Sequence, residues 1–383
     1  MISSFKTLMQ PRRVAVYLDT LNDHHFAKQP GEVVFLGEPL RKDAPFTPYS
    51  PVSGTVVQFV TRDDPFGKRT RVCIIENDYQ NNRYTPIVHY DQKTLIQTYF
   101  APPSRLESYP FIEKMPLIID LPFMNEPFVS LDLKHTREDY EQAVTVLDIL
   151  QTLWPADSIH ILAPMDVDVS AFEKASLPII IQRVRPEKQS DYAHKSINRI
   201  FHEALVREKP YRLLRLESLL RLYDMLTHHR PCVTTRFVVS GGLTRQPTVF
   251  SVRLGTMMDD LRKVFQDFIP TNLAMLHLNS LLENRTLAHD QFAVTADMVS
   301  LHVEVHREIE VYPCIACGRC NEHCPVGILP SKIMHTVEDG IVLDYMKSDV
   351  CIECGLCAFY CPSKINVMVF VQKAKNTVHR GKS

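Results

Sequence analysis

The sequence predicts an α+β chain of several domains: a β-rich N-terminus, a small α/β layer, a strand pair followed by a helix, and a cysteine-rich C-terminal domain. Three observations predict it. The 383 residues are 45% apolar and 23% charged, which supplies two to three cores at about 150 residues per domain and excludes a disordered chain. The apolar period changes along the chain, from short broken runs to helical spacing. Eight of the ten cysteines fall between Cys314 and Cys361, marking the end of the chain as a unit of its own.

Composition also excludes functions. Net charge is −1, from 43 basic and 44 acidic residues, so wholesale nucleic-acid binding is not expected. Glycine is scarce at 12, where average usage would give about 27. None lies between Gly67 and Gly241. Phosphate-cradling loops need glycine for tight turns and close backbone approach, so the middle of the chain lacks the usual nucleotide-binding loop. Met1 to Arg12 holds no continuous apolar stretch, and no apolar run reaches the roughly 18 residues that span a bilayer. A cytoplasmic protein without signal peptide is expected. Cys73 and Cys232 stand alone and read as inert buried thiols.

Residues 1–100 are expected to be β-rich. The runs Arg13 to Leu18, Glu32 to Leu36, Gly54 to Val60 and Arg71 to Glu76 are separated by Gly31, Gly37 and Pro51-Val52-Ser53-Gly54. The pattern resembles the barrel-sandwich fold of lipoyl- and biotinyl-type domains. No lysine stands at a hairpin tip as a swinging arm would require, so a packing module is expected. His24 and His25 read as a solvated loop rather than a metal pair.

Residues 101–190 read as an α/β domain. Met115 to Leu121 is apolar. Thr136 and Asp139 form a capping box, and Tyr140, Ala143, Val144, Leu147, Leu150 and Trp154 share one helical face. Ile159 to Ala163 and Leu177 to Val184 read as strands with a short helix between, which predicts a parallel sheet. Residues 191–232 read as a basic helical segment. Arg183 to Arg230 holds eleven Lys/Arg against six Asp/Glu, with His194, His202, His228 and His229. Leu213, Leu216, Leu220 and Tyr223 form its apolar face, and a solvated basic surface is expected over a site for lipid headgroups or an acidic partner. In residues 233–300, Thr234 to Ser240 and Val249 to Leu254 are strands joined at Gly241-Gly242. A helix follows, capped by Thr256 and Asp259, with Leu261, Val264, Phe265 and Phe268 inward. This is half of a β-grasp unit.

Residues 301–383 carry the specific signal. Cys314, Cys317, Cys320 and Cys324, followed by Pro325, read C-x2-C-x2-C-x3-C-P. Cys351, Cys354, Cys357 and Cys361, followed by Pro362, repeat it. This is the bacterial two-cluster ferredoxin run. Three thiolates on one tight loop clasp three corners of a cubane, and the fourth crosses to the other cluster. Cluster I is therefore assigned to Cys314, Cys317, Cys320 and Cys361, and cluster II to Cys324, Cys351, Cys354 and Cys357. Ile315, Val326, Ile328, Ile352, Leu356 and Ile365 are expected to pack around the sulfides. Zinc takes four ligands in one tetrahedron, and a cysteine triplet plus Cys-Pro, occurring twice, exceeds that need.

With the cysteines placed, the order of modules resembles the C subunit of the Rnf electron-transport complex. It also resembles the A subunit of the sodium-translocating NADH:quinone reductase, a relative without clusters. Gly37, Leu40 and Pro51 to Val56 carry the match at the start. Val239-Ser240-Gly241-Gly242, Pro247 and Arg253-Leu254-Gly255 carry it in the third unit. Pro313, the cysteine runs and Gly327-Ile328-Leu329-Pro330 carry it at the end. The resemblance to the Rnf protein implies a glycine-rich loop for FMN and NADH near residues 100–130. Here Ala101 to Pro110 reads APPSRLESYP without glycine, so neither cofactor is expected, and the middle looks like the scaffold of the reductase protein. The resemblance implies an electron-transfer subunit of an oxidoreductase complex, peripheral on the inner face of the cell membrane. Its partners would be other subunits of a membrane redox complex and a soluble or flavoprotein electron donor. Lys373, Lys375, Arg380 and Lys382 would assist docking. The alternatives are a self-contained flavin-dependent NADH-oxidising protein and a scaffold whose clusters are structural.

Overall fold

The structure is a computed structural model, and the described residues are 4–8, 10–43, 48–65, 67–84, 92, 96, 114, 116–121, 135–165, 167–184, 212–244, 246–264, 274–279, 286–287, 291–305, 310–324, 326–341, 346–351 and 353–381. Three sheets and a helical C-terminal unit make up a mixed α+β architecture. Among the described residues no helix is long and apolar enough to cross a membrane.

The first sheet comes from residues 13–77. Strands β2 (Arg13–Tyr17), β3 (Val33–Val34), β4 (Gly54–Asp63) and β5 (Arg69–Asn77) pair antiparallel in the order β2-β5-β4-β3. Alternation along β5 turns Cys73 and Ile75 against Val14, Val16, Phe26 and Val56, and turns Val72 to the other face against Ala15 and Ala293. Gly54 is required where β4 meets β5, because a Cβ there would run into the Glu76 carbonyl. Burial pushes the Cys73 thiol up to about 12, which suits a packed, unreactive cysteine. Asp23–His25 form a single 3₁₀ turn, in which His25 lies 3.1 Å from an Asp43 carboxylate oxygen and 3.3 Å from Thr20 Oγ1.

Strand β1 (Ser4–Leu8) does not belong to this sheet. It pairs parallel with Thr248–Val252 of the third sheet. The backbone hydrogen bonds of β1 are thus made with a strand some 240 residues downstream.

The second sheet is parallel. Strands β6 (Leu117–Asp120), β7 (Ile159–Pro164), β8 (Ile179–Val184) and β9 (Arg212–Arg215) are ordered β8-β7-β6-β9. Helix α1 (Arg137–Leu153) starts at the expected box: the Asp139 N–H donates to Thr136 Oγ1, and the Thr136 N–H donates to Asp139 Oδ2 at 2.6 Å. Its buried face is Tyr140, Ala143, Val146, Leu147 and Leu150, with Trp154 at the end. The short helix α2 (Ser170–Glu173) anchors through Phe172. Strand β9 interrupts the expected basic helix, so Leu213 is a strand residue. Helix α3 (Leu216–Thr227) buries Leu216, Leu219, Leu222, Met225 and Leu226, while Leu220 and Tyr223 flank the core. The i, i+3, i+6 row is buried because it packs in one core with the apolar face of α1. His194 and His202 lie outside the described residues.

The third sheet comprises β10 (Thr234–Ser240), β11 (Thr248–Arg253), β12 (Ala274–Leu278), β13 (Thr286–Leu287) and β14 (Ser300–Val305), in the order β1-β11-β10-β14-β12-β13. Here β10 and β11 form the expected hairpin, and β14 enters between β10 and β12, parallel to β10. A boundary at residue 300 would cut off this central strand. Helix α4 (Met258–Val264) covers one face with Met258 and Leu261, over Phe237, Phe250, Val252, Leu278 and Leu301. Phe265 and Phe268, expected on that helix, lie outside the described residues.

Polar contacts fix the sheets to one another. Arg236 of β10 donates two bonds, 2.7 and 3.0 Å, to the buried Asp139 carboxylate on α1. The Ala15 N–H donates to the Gly255 carbonyl at 2.8 Å, and the Ala293 N–H donates to Tyr17 Oη at 3.1 Å.

On the third sheet Ser240, His302 and Glu304 form a chain: Ser240 Oγ is 2.9 Å from His302 Nδ1, and His302 Nε2 is 3.0 Å from Glu304 Oε1. His277 faces His302 across the strands. Burial holds the His302 ring below the ordinary histidine value, an effect that Glu304 offsets in part. Burial and the neighbouring His302 hold His277 low as well. Both rings take up protons less readily in the fold than in the unfolded chain, which does so near pH 6.5. The stability they contribute is present above about pH 6.5 and is lost as pH falls through that value towards the folded pKa. Thermal unfolding of the full chain should show this loss between about pH 7 and pH 5, and His302→Gln should flatten the dependence.

Candidate iron–sulfur site

The two cysteine loops are conformational copies. Ala316 in the first and Glu353 in the second hold φ of 53° and 57°. Gly318 (φ 74°, ψ −5°) and Gly355 (φ 77°, ψ −6°) follow, each starting one helical turn, α5 (Arg319–Glu322) and α7 (Leu356–Phe359). The copy extends beyond the cysteines, because Gly327 (φ 68°) and Lys364 (φ 59°) close matching turns onto the Cys324 and Cys361 carbonyls, both at 3.2 Å. Glycine at the third x of the triplet takes up this left-handed backbone without the strain a side chain would add.

This backbone aims N–H groups at sulfur. The Ala316 N–H donates to Cys314 Sγ at 3.4 Å, and the Glu353 N–H donates to Cys351 Sγ at 3.3 Å. The N–H groups of Val326, Gly327 and Ile328 act on Cys324. None of the ten cysteines is in a disulfide. Such donors stabilise negative charge on sulfur and tune an iron–sulfur centre. The thiols, tight loops and donors therefore fit a pair of cubanes. Among the described residues no three His, Cys, Asp or Glu side chains converge tightly enough for one metal ion. A cubane asks for less convergence, because each thiolate binds a separate iron.

The fold brings cysteines of the two loops together across the repeat. Cys320 feels the charges of Cys317 and Cys361, while Cys351 and Cys354 feel Cys324. Cys357 feels Cys354, Cys351, Cys324 and, more weakly, Cys320. Burial is the first cause of every raised thiol here: it pushes Cys351 to about 11 and Cys354 to about 12, and it raises Cys324 and Cys357. A free thiol in this setting stays protonated, so a positive metal core is what would make it a thiolate.

The surrounding apolar residues divide. Ile328 and Leu356 are buried, and Val326 and Ile365 are half-buried. Ile315 is 67% exposed, contrary to expectation, because no described segment covers the first loop as the last helix covers the second. Pro325 and Ile352 lie outside the described residues.

Several contacts were not foreseen. His323 and Tyr360, each just before the fourth cysteine of its run, stack with centroids 3.6 Å apart. From α8 (Val367–Gly381), Lys375 Nζ donates to the Cys351 carbonyl at 2.7 Å and to Glu353 Oε1 at 3.1 Å, while Gln372 donates to Glu353 Oε2 at 2.9 Å. Lys375 is thus turned inward and is not part of a docking tail. Lys373 is exposed, whereas Lys382 and the Arg380 side chain lie outside the described residues. The one sequence signal for this contact was Glu353 standing where the first loop has Ala316.

Comparison with known proteins agrees with this geometry. A family model described as a 4Fe–4S dicluster domain matches residues 313–365. The C-terminal unit is thus an iron–sulfur domain of the 4Fe–4S kind. The C subunit of the ion-translocating oxidoreductase complex of Vibrio cholerae is 26% identical over 120 residues, 30% of this chain and 16% of the relative. The Methanosarcina acetivorans protein of that name is 25% identical over 129 residues, 33% of this chain and 28% of the relative. The alignments span less than a third of either relative's length. A solved NAD+-reducing [NiFe]-hydrogenase chain in the air-oxidised state aligns over 97% of this chain and 86% of its own, with 11% identity and a TM-score of 0.38. The chain is similar to the C subunit of electron-transport complexes of the Rnf kind. The segment Ala101 to Pro110, where the resemblance implies a cofactor loop, lies outside the described residues.

Proposed function

We propose that this chain is an iron–sulfur electron-transfer subunit, peripheral to a membrane-associated redox complex of the Rnf or NADH:quinone reductase kind. The observation that carries the reading is the duplicated cysteine loop, whose two copies share backbone conformation and place Cys324 beside Cys351, Cys354 and Cys357. Cys314, Cys317, Cys320 and Cys361 hold one 4Fe–4S cluster, and Cys324, Cys351, Cys354 and Cys357 hold the other. When bound, each cluster takes up and releases single electrons. The chain's own residues desolvate the thiolates, aim backbone N–H groups at them, and lock the repeat through the crossed cysteines and the His323–Tyr360 stack.

In this reading the residues ahead of the clusters position the subunit rather than carry out chemistry. The strand order β11-β10-β14-β12-β13, with β10 and β14 parallel, supports a β-grasp reading of the third unit. The scarcity of glycine supports a middle that acts as scaffold, like the A subunit of the quinone reductase, with flavin and NADH on a partner. The test is anaerobic reduction of the full chain by dithionite, followed by titration with a one-electron acceptor. About two electrons per chain should be recovered, one per cluster, and NADH alone should bleach nothing. Recovery of no electrons would overturn the proposal, and bleaching by NADH would favour the self-contained enzyme.

A further inference from the structure

The two cysteine loops share a backbone but not an environment. Position by position, Cys317 is exposed where Cys354 is buried, and Arg319 is exposed where Leu356 is buried. The helices behind them differ too: α6 (Pro330–Thr336) has 7 residues after the first loop, while α8 has 15 after the second. The core of this unit, Ile328, Ile333, Val337, Met346, Val371 and Ala374, packs on Cys324 and Cys351, both assigned to cluster II. Around the first loop Ile315, Val311 and Tyr312 are instead 67%, 60% and 52% exposed.

We propose that these residues make the two cluster sites unequal, with the first loop an outer site that exchanges electrons with a redox partner and the second an inner site of lower reduction potential. This rests on the assignment of two clusters above. The sign follows from desolvation. Reduction adds negative charge to a centre that already carries four thiolates. Removing water disfavours that charge, and solvent exposure is one of the levers that set cluster potential.

Lys375 and Glu353 are the positioning pair of the inner site. They tie α8 to the second loop, 2.7 Å from the Cys351 carbonyl and 3.1 Å from each other. The first loop carries no counterpart, since Ala316 occupies the place of Glu353. Lys375→Met removes the positive charge beside the half-buried Glu353 carboxylate, which keeps its Gln372 bond, and should shift the potential of the inner cluster downward. Glu353→Gln removes that charge and should shift it upward. Loosening of the helix alone would move both variants the same way.

The experiment is a redox titration of the full chain carrying both clusters, followed by electron paramagnetic resonance. Two one-electron steps are expected. Lys375→Met should move only the second-reduced step, downward, and Glu353→Gln should move only that step, upward. After exchange into deuterated buffer, spin-echo modulation from deuterons should be strong for the first-reduced centre and weak for the second. A single unresolved step, same-sign shifts in the two variants, or equal deuteron modulation would overturn the proposal. A chain that binds no iron would instead overturn the assignment beneath it.

Discussion

Replacing Cys324 by alanine should remove the cluster held by the second loop, although Cys324 lies in the first. Iron per chain should fall from about eight to about four, and the surviving signal should match that of Cys354→Ala, not that of Cys314→Ala. The reason is the proposed crossing. Cys324 stands with Cys351, Cys354 and Cys357, whereas Cys361 stands with Cys320. Cys324→Ala should also lower the unit's folding stability, as metal loss does in small metal-held domains. Iron analysis and the low-temperature resonance spectrum check both points. Spectra in which Cys324→Ala resembles Cys314→Ala would mean that each loop binds its own cluster with four consecutive cysteines.

Asp139→Ala should be the most damaging single change outside the cysteine loops. The carboxylate caps α1 at Thr136 and receives both Arg236 bonds while only 3% of its side chain is exposed. Removing it takes away both Arg236 bonds and the carboxylate half of the capping box, while Thr136 Oγ1 keeps its bond from the backbone N–H of residue 139. Losing hydrogen bonds to a charged group costs roughly 1.5–3 kcal/mol, reduced here by solvent because the Arg236 side chain is 36% exposed, and losing the carboxylate half of the capping box costs under about 1 kcal/mol more. Burial pushes the Asp139 carboxyl up, but the Arg236 and Thr136 bonds together outweigh it and hold the pKa below the usual carboxylate value. That stability is present above the ordinary value of about 3.9 and is lost as pH falls through the folded pKa. Denaturant unfolding at neutral pH reads the main effect, and a loss below about 1 kcal/mol would place Asp139 among surface ion pairs.

How far the sequence could be read depended on the range of the interactions. The Thr136–Asp139 box and the α1 stripe are set within a few residues, so the pattern alone located them, and the alternation in β4 and β5 did the same. What pairs with a strand is not local. Nothing in Ser4–Leu8 points to Thr248–Val252, and nothing in Arg236 points to Asp139. Strand β9 escaped because four residues bounded by arginines carry no period, so Leu213 was read into the helix that follows. In the cysteine unit the ligand types were legible because spacing alone encodes a tight loop. The inequality of the loops was not, since it arises from α8 folding over one copy only. Two of its marks did stand in the sequence, Leu356 opposite Arg319 and Glu353 opposite Ala316, but their meaning needed the helix that covers them. The same omission placed Ile315 in an apolar shell, whereas it faces solvent.

The most direct measurement is metal and sulfide analysis of the full chain purified or reconstituted without oxygen, with a Mössbauer spectrum of the same sample. The account predicts about eight iron and eight acid-labile sulfide per chain, all in cubane form. A colourless chain that takes up zinc, holds no labile sulfide and gives no iron spectrum would contradict it.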